Sequence, residues 1–269
     1  MGFFSKEYPM PELPEVEAYR MYVETALFES PIQKVELLRE KVMKSDWKEF
    51  KKQTEGQRFI STKRIGKYLF MQLENKKWVL FHFGMTGKPE FYQSKEVQPK
   101  HSRLIIHFES GLKLSFVCMR LFGRVELVNS IEQYQKEHKL GIDALEVSQS
   151  DFSDYLSSRK AAVKTVLLHQ NAFAGVGNWI ADEVLFQSEI HPEIRAHKLT
   201  KKQLERIYDD LQEVLKIAVQ KQANYHEFPE HFMVKERWGD GNCPKCGEEL
   251  KRIVVGGRGT YLCENEQAG

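Results

Sequence analysis

Cysteine is scarce in this 269-residue chain: there are four, at 118, 243, 246 and 263. With three of them crowded into the last 27 residues, they exclude a disulfide-scaffolded fold and read as a metal site near one end. Long apolar runs are missing too, and none approaches the ~20 residues that a membrane-spanning helix needs. The first nine residues have neither the basic start nor the apolar stretch of a secretory signal. Neither charge is in real excess, since 40 Lys and Arg face 38 Asp and Glu for a net charge of +2. Overall charge therefore announces no polyanionic partner, and any such case has to rest on local placement. Repeats and low-complexity tracts are absent as well, which excludes solenoids and propellers.

What is present builds a core: 41% of residues are hydrophobic and 29% charged. Val16, Tyr19, Val23 and Leu27 follow helical spacing behind Pro14, a residue tolerated in a first turn. From about 33 to 128 the texture changes to strand-length apolar runs at 34–38, 58–62, 68–73, 78–82, 104–108, 112–117 and 125–128. Turn pairs such as Glu55-Gly56, Glu74-Asn75 and Ser110-Gly111 separate them, so this half is expected to be an antiparallel sandwich. The polar stretch 129–142 reads as a linker. Helical periodicity returns at 161–168, 178–186 and 200–223, broken at Gly175-Val176-Gly177 and His191-Pro192. The fold class is α+β, divided into an extension (1–9), a β-sandwich domain with its leading helix (10–129), a linker (130–150), a helical domain (151–225) and a cysteine-bearing hairpin (226–269).

Several strings carry chemistry. In Met10-Pro11-Glu12-Leu13-Pro14-Glu15, carboxylates and proline suit a helix start. If Pro11 became the chain terminus, its secondary amine could attack a sugar C1′ and form an iminium, with Glu12 placed for proton transfer and Glu15 supporting it. Cys243-Pro244-Lys245-Cys246 is followed, sixteen residues on, by Cys263-Glu264-Asn265-Glu266. That spacing suits a zinc site of three thiolates with Glu266 as fourth ligand. Gly175-Val176-Gly177-Asn178 lets backbone approach a phosphate at a helix start. Gly257-Arg258-Gly259 suits a tight turn presenting a guanidinium.

The string Met10 to Glu17 resembles the start of the formamidopyrimidine-DNA glycosylase and endonuclease VIII family, and later segments follow that family's order over nearly the whole chain. The resemblance implies a DNA glycosylase with AP-lyase activity that excises oxidised or ring-opened bases from double-stranded DNA. In it Pro11 is the nucleophile, Glu12 the acid/base, and Lys67 in Arg64-Ile65-Gly66-Lys67 a catalytic or phosphate-contacting lysine. Met85 in His82-Phe83-Gly84-Met85 would fill the gap left by an extruded nucleotide. Arg120 and Phe122 in Arg120-Leu121-Phe122-Gly123 would face the orphaned base and wedge the step, as base extrusion requires. Lys164, Asn178 in a helix-two-turn-helix and Arg258 would hold the DNA backbone. The hairpin would be zinc-ribbon-like with one structural zinc, and the protein a cytoplasmic monomer, nucleoid-associated if bacterial, with no membrane partner.

Four departures from the family pattern qualify this. Nine residues precede Met10, so the chemistry is expected to need a start at Met10 and its removal. Cys118-Met119-Arg120-Leu121 stands where the family has an acidic-proline and double-arginine segment, implying relaxed reading of the opposite base. The stretch 228–242 is short beside the loop that caps oxidised purines, implying a broader or pyrimidine-leaning lesion range. Glu266 replaces the last finger cysteine. The alternative reading is a non-catalytic protein that binds damaged or abasic DNA on the same scaffold.

Overall fold

The structure, a computed structural model, describes residues 10–237 and 241–267. The extension 1–9 lies outside the described residues. The described residues form two compact units, 10–11 with Glu15–Lys139 and Glu12–Pro14 with the described residues from Leu140 onward. Three residues at the chain's start thus belong with its second half.

In the first unit, α1 (Leu13–Glu24) buries Val16, Tyr19 and Val23. Two four-stranded antiparallel sheets share one core with it. The first runs β1 (Ile32–Leu37), β6 (Ser102–Phe108), β7 (Leu112–Cys118), β5 (Gly87–Gln93). The second runs β2 (Phe59–Ile65), β3 (Tyr68–Leu73), β4 (Trp78–His82), β8 (Arg124–Val128). Register aligns the apolar stripes: Val35, Ile106, Leu114 and Phe91 stand opposite one another across one sheet, and Leu69, Phe81 and Val125 across the other. Because side chains alternate with period two, every such row falls on the core face. Each buried Phe, Leu or Val contributes about 1.5–3 kcal/mol.

Three elements escape the sequence pattern. Strand β5 opens Gly-Lys-Pro, and it tolerates Pro89 because it is an edge strand. Helix α2 (Trp47–Thr54) is mostly charged and is defined by its cap, Asp46 accepting from the Glu49 N–H, and by buried Phe50. The stretch read as a linker carries α3 (Ile131–Glu137), capped by Ser130, with Tyr134 buried and its hydroxyl accepting from Arg124 at 2.7 Å.

The second unit is helical: α4 (Gln149–Ser157), α5 (Val163–Leu167), α6 (Asn178–Gln187) and α7 (Lys201–Gln220). Thr200 and Gln203 close α7's start with a reciprocal capping box. Strands β9 (Ile142–Asp143) and β10 (Phe173–Ala174) pair in parallel, and β11 (Lys251–Val255) and β12 (Arg258–Leu262) form a hairpin. Among the described residues, no helix is long and apolar enough to cross a membrane.

Helix α6 is buried almost all round, yet it carries Asp182 and Glu183. Glu183 accepts from the N–H groups of Met233 (3.2 Å) and Val234 (2.7 Å), which holds the short helical turn Met233–Glu236 against α6. Burial pushes the Glu183 carboxyl up to about 7 from its usual 4.5. Between those values the folded chain keeps a proton here that the unfolded chain has released. The stability contributed at this point therefore falls as pH rises through that window. Glu183→Gln is expected to abolish the fall, read from hydrogen-exchange protection of the Met233 and Val234 amides compared across the window from about pH 4.5 to about pH 7.

Candidate active site

The candidate residues sort onto the two units. In the first, Gly66 (φ 55°) and Lys67 form the two-residue turn between β2 and β3, so Lys67 sits at a hairpin tip rather than on a strand. Burial pushes His82 down to about 3, and the charges of Arg124 and Lys67 add to the effect. The neutral ring accepts the Gly84 N–H at Nδ1 (3.3 Å), ordering the turn that presents Met85.

Met85, Arg120 and Phe122 come together in this unit. The turn at 84–86 packs backbone to backbone on the turn at 119–123. A Cβ on Gly84 would lie 2.5 Å from the Phe122 carbonyl carbon, so the contact excludes any side chain there. The Arg120 N–H donates to Thr86 Oγ1 at 3.1 Å, joining the two turns again. Phe122 is 57% exposed and Met119 54%, a large apolar exposure for a single turn. The Arg120 guanidinium lies 5.5 Å from the Phe122 ring centre. Leu121 adopts φ 58°, a left-handed conformation that costs a branched residue energy and tilts its neighbours outward.

Pro11 is buried, the last residue before the chain joins the second unit, and its nitrogen is bonded to Met10. The Met10 N–H donates to Met85 O at 2.9 Å. Glu12, the next residue, is buried at the start of α6, where its two carboxylate oxygens accept from the Trp179 (3.0 Å) and Ile180 (3.3 Å) N–H groups. These are free donors of a helix's first turn, where the helix dipole also favours negative charge. Gly177 makes the seat: any Cβ there would occupy the carboxylate's own position.

Asn178 is the first residue of α6, with Gly177 rather than Asn178 at the cap position. Its Nδ2 donates to Gly259 O at 2.9 Å on the hairpin. The hairpin tip is Gly256-Gly257, both at positive φ (56° and 76°), as a tight two-residue turn requires. Arg258 follows as the first residue of β12, exposed and free to reach outward.

Lys164 is not on a surface. Its side chain is fully buried; its ammonium pairs with Asp182 Oδ1 (2.6 Å) and donates to Thr260 Oγ1 (2.6 Å) and Gly259 O (3.1 Å). The expected phosphate contact is therefore corrected to an internal link, since the ammonium is buried and its charge is already paired. Arg237 joins the network, pairing with Asp182 at 2.6 Å and donating to Asn178 O at 3.2 Å. Burial drives Lys164 down and Asp182 up, and the two cations oppose the shift at Asp182. Sequence reasoning missed Asp182 and Arg237. The available clue was a pair of acids, Asp182 and Glu183, inside the otherwise apolar run Trp179 to Phe186.

The thiols of Cys243, Cys246 and Cys263 lie within 4.8 Å of one another. Backbone N–H groups of Glu248 point at Cys246, and those of Asn265 and Glu266 at Cys263. The Glu266 carboxylate lies outside the three-thiol group, so the structure does not bring in the fourth ligand expected from the sequence. Three thiolates with N–H groups aimed at sulfur fit a structural zinc, which would tie the knuckle at 243–246 to the end of β12. Metal analysis is expected to find about one zinc per chain. Chelation should loosen the β11–β12 hairpin while leaving the first unit's exchange protection unchanged.

Comparison with known proteins agrees with this arrangement. The family models for the formamidopyrimidine-DNA glycosylase N-terminal domain, its H2TH domain, and the zinc finger found in FPG and IleRS match residues 10–125, 140–229 and 242–265. The formamidopyrimidine-DNA glycosylase of Mycoplasma mobile is 34% identical over 96% of this chain and 99% of its own. That of Arabidopsis thaliana is 33% identical over 93% of this chain and 69% of its own. Among solved structures, the Lactococcus lactis enzyme bound to DNA containing an AP site superposes with a TM-score of 0.87 at 26% identity, covering 96% of this chain and 100% of that one. The same enzyme in complex with FAPY-dG-containing DNA gives the same TM-score, identity and coverage. With the capped Glu12, the paired Met85 and Phe122 turns and the three-thiol hairpin in the family's order, the chain belongs to the formamidopyrimidine-DNA glycosylase family.

Proposed function

We propose that the chain, a DNA glycosylase and AP lyase of this family, excises oxidised or ring-opened bases through a Schiff base on Pro11 once Met10 has been lost. The observation that carries this reading is the seat of Glu12 on the first turn of α6. A carboxylate fixed there leaves the adjoining amine only one residue of freedom, which is the preorganisation that nucleophilic attack needs. As an amide nitrogen Pro11 has no available lone pair. As a free secondary amine it attacks C1′ and the bond to the base breaks, its electrons leaving on the base; the nitrogen then gives up its proton, and the C1′–O4′ bond opens with its electrons leaving on O4′, which yields the iminium. Glu12 moves the protons: it takes the amine proton, passes it to O4′, and as a carboxylate again accepts the 2′ proton that the iminium has acidified. Loss of that proton expels the 3′ phosphate, and a second elimination expels the 5′ phosphate.

The other residues bind and orient. Met85, Arg120 and Phe122, brought together on two packed turns, are the side chains that occupy the gap in the duplex. Asn178 and Arg258 hold phosphates, and Lys67 at its hairpin tip contacts phosphate or assists a proton transfer. Zinc stiffens the hairpin and takes no part in the chemistry. The Lactococcus lactis relative has been seen with both FAPY-dG and abasic-site DNA, which supports the substrate class proposed here. The short segment after α7, drawn onto α6 through Glu183, supports a lesion range broader than oxidised purines.

Borohydride trapping on an abasic duplex, with protein starting at Met1 compared with protein starting at Pro11, is expected to give a covalent adduct from the second alone. Equal adducts, with the Met1 form intact by mass, would move the chemistry to an internal lysine. No adduct from either would leave only the binding reading. Gly177→Ala, which evicts the Glu12 carboxylate, is expected to lower single-turnover excision by at least about 100-fold with little change in duplex affinity, in line with the loss of an acid/base group.

A further inference from the structure

The buried network behind the hairpin has a role that the family assignment leaves undescribed. Lys164 stands on α5 with no exposed surface, and its ammonium meets three acceptor oxygens within the second unit, two by hydrogen bond and the one on Asp182 as an ion pair. Two of these acceptors, Gly259 O and Thr260 Oγ1, belong to β12. The Thr260 hydroxyl passes the link on by donating to Arg258 O at 3.0 Å. Gly259 O is shared with Asn178 Nδ2 at 2.9 Å. Asp182, the third acceptor, also takes the Tyr261 N–H at 3.2 Å. In the turn itself, Gly256 lies against Thr165, whose Oγ1 would stand 2.5 Å from a Cβ at that position. The backbone is thus pinned on both sides of Arg258 while the guanidinium itself stays exposed.

We infer that Lys164 is a positioning residue, its ammonium holding the strand that carries Arg258 at a set distance from Asn178. A buried ion pair is a poor way to gain stability, because desolvating the charges offsets their attraction and well-packed apolar side chains often do as well. What the ammonium provides, and a methyl group does not, is two directed hydrogen bonds to β12 together with an ion pair to α6. Lys164 thereby sets where a phosphate bound by Arg258 lies relative to one bound by Asn178. This rests on the proposed role of Arg258 on the DNA backbone.

The test is a double-mutant cycle between Lys164→Met and Arg258→Ala. Methionine keeps the length of the stem, and Asp182 keeps Arg237 as its counter-ion, so the variant retains a charge-balanced pair. Affinity for a duplex carrying a stable abasic-site analogue is measured against salt concentration, alongside Tm for every variant. The analogue undergoes no chemistry, so Glu12, whose charge Lys164 also feels, does not enter the readout. Arg258→Ala is expected to weaken binding and to reduce the slope of log K against log salt by about 0.9, the share of one phosphate contact. Lys164→Met is expected to weaken binding about tenfold, with part of the same slope change, as loss of a directed contact does. Placed on the Arg258→Ala background, it should change affinity by less than about twofold, because the two residues act through one contact. An equal loss on both backgrounds, tracking Tm, would overturn the inference and leave Lys164 a purely structural residue. So would wild-type affinity and slope in Lys164→Met. Unchanged binding in Arg258→Ala would remove the Arg258 reading and the inference together. Should Lys164→Met fail to fold, Thr260→Val breaks the same link to Arg258 O and is held to the same outcomes.

Discussion

The carboxylate of Glu12 occupies the first turn of α6, and much of the second unit is arranged around that contact. A buried carboxylate is tolerated only where donors meet it, and here the donors are the free N–H groups of Trp179 and Ile180. The contact draws residues 12–14 out of their sequence neighbourhood and into the second half of the chain. It also dictates Gly177, since no side chain fits where the carboxylate lies. Pro11 follows by covalent necessity, one residue from a point that cannot move.

Helix α6 extends the same logic along its length. Its buried faces would suit apolar residues throughout, yet Asp182 and Glu183 interrupt them, and each draws partners from other elements. Asp182 gathers Lys164, Arg237 and the Tyr261 N–H, which belong to α5, the segment after α7 and the hairpin. Glu183 gathers the Met233 and Val234 N–H groups. The hairpin itself is short for an independent fold, with little core of its own: Cys243 and Cys263 pack with Phe186 and Met233 in a small cluster. It leans instead on this polar network and on three thiols poised for a metal. One helix thus seats Glu12, carries Asn178 and anchors the strand bearing Arg258.

The first unit presents its exposed residues differently. The half-buried Met85 and the exposed Arg120 and Phe122 sit on turns whose backbones touch. The sandwich beneath is ordinary in its packing, with aligned apolar rows and aromatic contacts such as Phe81 with Phe116 at 5.0 Å.

Local sequence determined a good deal. Strand positions, the start of α7 at Thr200, the glycine turn before Arg258 and the spacing of the three cysteines all follow from short-range patterns of period, cap and turn. The string Met10 to Glu17 singles out Pro11 and Glu12 by residue type and order alone. Tertiary structure alone decided which way the charged residues face. Lys164 has a stem and charge that suit a surface equally well, and only the arrival of β12, nearly 100 residues later in the chain, turns its ammonium inward. Asp182 and Arg237 were illegible for the same reason: a buried charge is recognised by its partners, and those come from elements far apart in sequence. Strand β5 and helices α2 and α3 stayed hidden because caps, an edge position and a few buried aromatics define them rather than any sustained period. Periodicity is written residue by residue, whereas the fate of a charge depends on what the fold brings beside it.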